Sequence, residues 1–195
     1  MVTDFYEIKT AASTQPVTLV EQKAWMKITN TTEDALITAL IVAATEKAEL
    51  YTNRVFVTRT FTGYLSGLAC SQYEAGLYLE LRRAPLGSIT TVKVTEDDSL
   101  ETVSSDDYNV KETGAFPRIV FEEINESPDR VPYPYQVEFV AGYGAAAAVP
   151  GAIKTAIMEA VSYWFYNRGD CGSGNELPGI AKGILGEYRI LNTFA

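Results

Sequence analysis

The densest concentration of chemically capable side chains in this sequence is acidic. Glu96, Asp97, Asp98, Glu101, Asp106 and Asp107 lie between Val94 and Val110 with no lysine or arginine among them, and Glu122, Glu123, Glu126 and Asp129 follow. Paired carboxylates run glycoside hydrolysis, one as acid and the other as base or nucleophile, and clustered carboxylates hold calcium. These acids, however, fall among turn residues and lack the alternating DxDxDG spacing of a calcium loop. They read as solvated hairpin tips, able to repel DNA or to attract a basic partner. Histidine is absent, which removes Ser-His-Asp and Cys-His nucleophilic sites and any zinc site built on imidazole. The two cysteines, Cys70 and Cys171, are far apart and form no CxxC pair, so they are expected as free thiols in a reducing compartment. The pattern points to no catalytic residue, no cofactor site and no metal site.

Three short motifs have a simpler structural explanation. Gly142-Tyr-Gly144-Ala-Ala-Ala147 spells GxGxxA after a strand pattern. Pro150 delays the next helix beyond the point where its N-terminus would hold a pyrophosphate, so a strand-to-helix corner is expected. Arg168-Gly169-Asp170 sits where a helix ends, and glycine is the usual stop there. Asn30-Thr-Thr32 and Asn125-Glu-Ser127 are glycosylation sequons that matter only in a secreted chain. Of the twelve tyrosines, Tyr133, Tyr135 and Tyr143 cluster, as do Tyr163 and Tyr166. Such aromatics serve cores and protein interfaces alike.

The elements that must carry these residues follow from periodicity. A chain of 195 residues suits one globular domain, or one with an insertion. Residues 1–16 have no clear period and read as an extended N-terminal arm. Thr18-Leu-Val-Glu21 fits a capping box opening a short helix over about 19–28. Asn30-Thr-Thr-Glu-Asp34 starts a second helix, in which Ile37, Ile41, Ala44, Ala48 and Tyr51 form one stripe. The period then shortens: strands are expected near 55–62, 77–81, 89–94, 108–110, 119–121 and 136–140, separated by turn signals. After Val149-Pro150, Ile153, Ala156, Ile157, Ala160, Val161, Trp164 and Phe165 mark a third helix. A loop over 171–175 and a fourth helix from Pro178 to Tyr188, weakened by Gly183 and Gly186, complete the pattern.

The expected class is therefore α+β: a small bundle of about four helices with an antiparallel β layer inserted between the second and third. The boundaries are an arm over 1–16, helical halves at 17–52 and 150–189, a β-rich layer at 53–149, and a tail at 190–195. The formal charge is −9, which argues against gripping phosphate backbones. No apolar run reaches the ~20 residues of a membrane span, and the first residues do not resemble a signal peptide, so a cytoplasmic origin is expected.

In order along the chain, several segments resemble the head–tail connector (adaptor, or head-completion) proteins of long-tailed bacteriophages and related gene transfer particles. They are Val17-Thr-Leu-Val-Glu-Gln-Lys-Ala-Trp-Met-Lys-Ile28, Glu33-Asp-Ala-Leu-Ile37, Ala48-Glu-Leu-Tyr-Thr-Asn-Arg54, Leu81-Arg-Arg-Ala-Pro-Leu-Gly-Ser-Ile89, Asp107-Tyr-Asn-Val110, Val137-Glu-Phe-Val-Ala-Gly-Tyr-Gly144, Trp164-Phe-Tyr-Asn-Arg168 and Ile184-Leu-Gly-Glu-Tyr-Arg189. The likeness covers about residues 16–190; the first fifteen depart from it. It implies a virion protein at the head–tail interface, made in a host cytoplasm, that breaks no bond. It also implies a homo-oligomeric ring of about twelve copies below the portal, with head-to-tail cyclic contacts. The ring would extend the DNA channel and dock the tail. Partners would be the portal, a tail-side stopper or tail protein, and double-stranded DNA passing without sequence-specific binding. Such a ring carries a charge on the order of −100, and Glu96, Asp97, Asp98, Glu101, Asp106 and Asp107 are the candidate channel-lining acids. Tyr188, Ile190, Leu191 and Phe194 are the candidate portal contacts. Another ring component of the particle, a stopper or tail terminator, is the nearest alternative, and a small carboxylate-dependent hydrolase is the alternative of a different class.

Overall fold

A computed structural model of the chain describes residues 4–70, 77–112, 115–121, 131–168 and 176–191. Glu122, Glu123, Glu126, Asp129, Gly169, Asp170, Cys171, the 171–175 loop and Phe194 lie outside the described residues. The chain divides into two compact units: residues 12–57 with 143–195, and residues 1–11 with 58–142.

The first unit is helical. α1 (Leu19–Met26) opens with the expected capping box: Glu21 N–H donates to Thr18 Oγ1 at 3.2 Å, and Thr18 N–H to the Glu21 carboxylate at 2.7 Å. The Thr18 N–H, and then the Thr18 hydroxyl donating to the same carboxylate at 2.8 Å, hold the Glu21 carboxyl below its ordinary pKa. α2 (Asp34–Thr52) buries Ile37, Ile41, Ala44 and Ala48 on one stripe. Thr45 and Thr52 also turn inward on α2, because each hydroxyl donates to the carbonyl four residues back at 2.8 Å. α3 (Gly151–Tyr166) buries Ile153, Ala156, Ile157, Ala160, Val161 and Phe165. α2 and α3 share one apolar core, joined by Phe56, Val149, Leu177 and two residues of α4 (Gly179–Gly186), Ala181 and Leu185. The fully buried alanines of α2 and α3 let the two axes approach closely. α4 is shorter than the pattern predicts and ends at Gly186.

The second unit is two antiparallel sheets. β2 (Arg59–Leu65), β9 (Tyr135–Ala141) and β5 (Leu86–Glu96) form the middle of one, with β1 (Phe5–Thr10) and β6 (Ser99–Thr102) at its edges, in the order β1-β2-β9-β5-β6. The other runs β3 (Ala69–Cys70), β4 (Leu77–Glu80), β8 (Arg118–Phe121), β7 (Tyr108–Lys111). β9 shows the period that makes it central: Tyr135, Val137, Phe139 and Ala141 are buried while Gln136, Glu138 and Val140 are half-exposed. Phe61 stacks on Phe139 at 5.7 Å, and Tyr6 meets Phe139 edge-on at 6.2 Å. Phe121 of the smaller sheet reaches Tyr135 of the larger at 6.3 Å, so the inner faces form one core.

The helix order and the inserted strands match the expected class. Within the expected extended arm, residues 5–10 form an edge strand that pairs with β2 from Phe5↔Tyr64 to Thr10↔Thr60. The period of β1 is hidden because only Tyr6 and Ile8 face the core side, and Ile8 is itself half-exposed. β3 and β6 are further strands that the pattern missed, both too short for alternation to register.

Tyr6 ties β1 to the end of β4. Its hydroxyl donates to Glu80 O at 3.3 Å and accepts from Arg82 N–H at 3.0 Å, and burial pushes its pKa up to about 12. A phenol with a raised folded pKa contributes stability that is complete below the unfolded value of about 10 and is lost as pH rises through 12. Thermal melts across that alkaline window should therefore fall more steeply for the wild type than for Tyr6→Phe, which has no proton to lose.

Candidate interaction surfaces

The acidic stretch is divided by the fold. Glu96 and Ser99 pair across the β5–β6 hairpin, leaving Asp97 and Asp98 as its two-residue turn, with φ of 46° and 61°. Two consecutive left-handed residues define a type I′ turn, which suits the right-handed twist of the strands. Aspartate tolerates this conformation better than most side chains, though less well than Asn-Gly. Ser99 Oγ lies 3.1 Å from Glu96 O and 2.7 Å from the Glu101 carboxylate. Asp106 and Asp107 belong elsewhere, in the turn before β7 of the other sheet, where their N–H groups donate to Ser104 Oγ and Ser104 O.

Asp97, Asp98, Glu101, Asp106 and Asp107 are exposed. Glu96 is half-buried, and its charge adds to the burial that raises the Tyr135 pKa. The carboxyls of Glu21 and Glu176 are shifted downward, by Thr18 and Lys182 respectively, which is opposite to the shift a general acid needs. Among the described residues, no group of three acids or thiols lies close enough to hold a metal ion, and no helix is long and apolar enough to cross a membrane.

The candidate tail contacts also separate. After α4 the chain turns back onto the end of α2. Arg54 Nε donates to Tyr188 O at 2.6 Å, Ile190 N–H to Thr52 O at 2.9 Å, and Asn53 Nδ2 to Ile190 O at 2.8 Å. The Arg189 guanidinium stacks 5.0 Å over the Tyr51 ring. Ile190 is thus only 5% exposed, sealed inside its own unit, and Tyr188 is half-buried. Leu191 is 62% exposed. Sequence reasoning missed the clamp itself, Asn53-Arg54. Its signal is Asn53 as the left-handed cap of α2, with φ 56°, a position where asparagine or glycine is expected.

The remaining motifs are structural. Gly142 and Gly144 have φ of 132° and 126°, and a 3-10 turn (Ala146–Ala148) intervenes before α3, so no helix N-terminus faces the glycines. Arg168 stacks 4.5 Å over Phe165 and pairs with Glu33 at 3.3 Å. Of the tyrosine clusters, Tyr135 is core, whereas Tyr133 and Tyr166 are exposed.

The family model for head completion proteins matches residues 16–191. No curated protein matches by sequence. Among solved structures, a chain in the neck of an empty gene transfer agent particle, computed with C6 symmetry, is 19% identical with a TM-score of 0.74, covering 98% of both chains. A chain in the virion of a native gene transfer agent particle is 16% identical at 0.74, covering 97% of both. A third, in the neck of a native particle computed with C12 symmetry, is 17% identical at 0.71, covering 98% of both. At these identities the likeness is one of fold.

The hairpin and the clamp each give an expected outcome. Replacing Asp97-Asp98 by Asn-Gly removes two acids and relaxes the turn, so thermal stability should rise by up to about 1 kcal/mol. Asn53→Gly keeps the left-handed cap but frees the Ile190 carbonyl. Stability should fall by about 1 kcal/mol, with faster amide hydrogen exchange at Ile190.

Proposed function

The chain belongs to the head completion protein family, and from that premise we propose a working arrangement for it. It acts as a head–tail connector in a phage-like virion: a structural subunit of a ring below the portal, located at the head–tail interface. The observation that carries this reading is the family match along most of the chain. The solved neck chains of the same fold, from particles treated with C6 and C12 symmetry, support a ring of about twelve copies with cyclic head-to-tail contacts.

The work of such a ring is geometric. It continues the DNA channel and offers a docking surface to a tail-side stopper or tail protein. DNA passes without sequence-specific binding, consistent with a charge of −9 per copy. The exposed acids of the β5–β6 turn and the turn before β7 are the groups proposed to face the channel. Glu96 has a lesser part, because it leans on Tyr135. No bond is made or broken: the acids are solvated and distributed over two sheets, unlike the convergent pair of a hydrolase.

The portal contact is proposed at the C-terminal end, with its roles divided. Tyr188 and Ile190 anchor the segment to the end of α2, while Leu191 stands exposed and is proposed, together with Phe194, to meet the portal. An apolar side chain left exposed beyond a clamped backbone is positioned to be covered on assembly.

Deleting residues 191–195 should leave the melting temperature within about 2 °C and abolish binding to the portal in a pull-down or by electron microscopy. Ile190→Ala should instead lower stability by about 2 kcal/mol or more. Unchanged portal binding after the deletion would place the contact elsewhere.

A further inference from the structure

α1 sets Met26 into the apolar core and packs Leu19 against it, yet gives its most buried position to a polar side chain. It buries Gln22 completely while Val20 is 77% and Trp25 46% exposed, with Ala24 exposed beside them. The orientation is held by polar contacts: Gln22 Nε2 donates to Met158 O and to Ser162 Oγ, both at 3.2 Å. A tryptophan left outside by a pinned helix forgoes a large apolar contribution within its own chain, and tryptophan is the residue type most enriched at the centre of protein interfaces.

A matching concavity lies in the same unit. A cleft of about 280 Å³ is lined by Thr14, Gln15, Val17, Leu19, Thr38 and Ile41, with no charged side chain among them. A cavity of about 150 Å³ accommodates benzene, so this one has the volume for an indole. Trp25 cannot fill it within its own chain, because Leu19 and Trp25 point about 120° apart around α1. Charge also favours a second copy. Copies at −9 repel each other except where acids are missing, and the cleft opens beside α2, which carries no charge between Asp34 and Glu46. Glu21 is bonded to Thr18, a residue that lines the cleft, and is held ionised chiefly by it, with Lys154 of the same chain adding a smaller effect. Lys27 stands exposed two residues from Trp25. An acid beside the hole and a cation beside the knob are complementary in a head-to-tail contact.

We propose that Trp25 of one copy seats in the Thr14–Ile41 cleft of the next, with Lys27 meeting Glu21 across the seam. This rests on the ring reading above and names its contact. The test is cryo-electron microscopy of particle necks assembled with the full chain as wild type, Trp25→Ala, Trp25→Phe or Thr38→Trp. The expected result is a wild-type ring with the indole in the neighbour's cleft. Incorporation should drop about tenfold or more for Trp25→Ala and for the cleft-filling Thr38→Trp, with substantial recovery for Trp25→Phe. Melting temperatures near the wild-type value would show that the variants fold. A wild-type ring in which Trp25 faces solvent, or in which the cleft holds a portal or tail side chain, overturns the proposal and leaves the ring intact. So does equal incorporation of a folded Trp25→Ala. Necks without a ring of this chain would defeat the ring reading itself.

Discussion

Everything in the helical unit depends on apolar burial between α2 and α3, two helices separated by about a hundred residues of chain. Closing a loop of that length costs about 4 kcal/mol in chain entropy, beyond a constant. Ile37 and Ile41 on α2 and Ile153 and Ile157 on α3, each at most 2% exposed, supply roughly 1.5–3 kcal/mol apiece. The margin is enough to tolerate a large insertion. Where the chain leaves and re-enters this unit, Tyr143 N–H bonds Phe56 O at 3.0 Å, pinning the two connections together.

That core also decides what remains available outside it. With α2 and α3 committed to each other, α1 is added through the apolar contacts of Met26 and Leu19 and through Gln22, whose polar contacts fix its orientation. The end of α2 is committed as well: its left-handed Asn53 cap holds the C-terminal segment through Ile190. A structural subunit has to keep apolar side chains exposed until neighbours arrive. Among the described residues of this unit, Val20 and Trp25 on α1, Leu50 on α2, Tyr166 on α3, Ile180 on α4 and Leu191 beyond the clamp are such exposed side chains.

The sheet unit handles charge in a comparable way. Aspartates occupy both positions of a two-residue turn where Asn-Gly would fit with less strain, so the acids are presented at the tip of a hairpin whose backbone disfavours them. A short edge strand, β6, exposes Ser99, Glu101 and Thr102 beside Leu100, and its four-residue length and its charge discourage edge-to-edge pairing with other sheets.

The sequence by itself determined the parts governed by local rules. The capping box at Thr18 and Glu21, the stripes of α2 and α3 and the alternation of β9 are each set by neighbours within a few residues, so their period is written in the chain. The absence of histidine likewise bounded the chemistry from composition alone. Only the tertiary structure decided matters that depend on partners far away in sequence. Residues 5–10 become a strand because β2 supplies the hydrogen bonds. Ile190 is buried rather than presented because Thr52, Asn53 and Arg54 lie across it. The acids of one stretch separate onto two sheets because β6 returns to β5 while β7 pairs with β8. Gln22 points inward because Met158 and Ser162 offer it partners more than 130 residues away. Apart from the β5–β6 hairpin, whose turn is local, the deciding energy is a contact between residues distant in sequence, and periodicity carries no record of those.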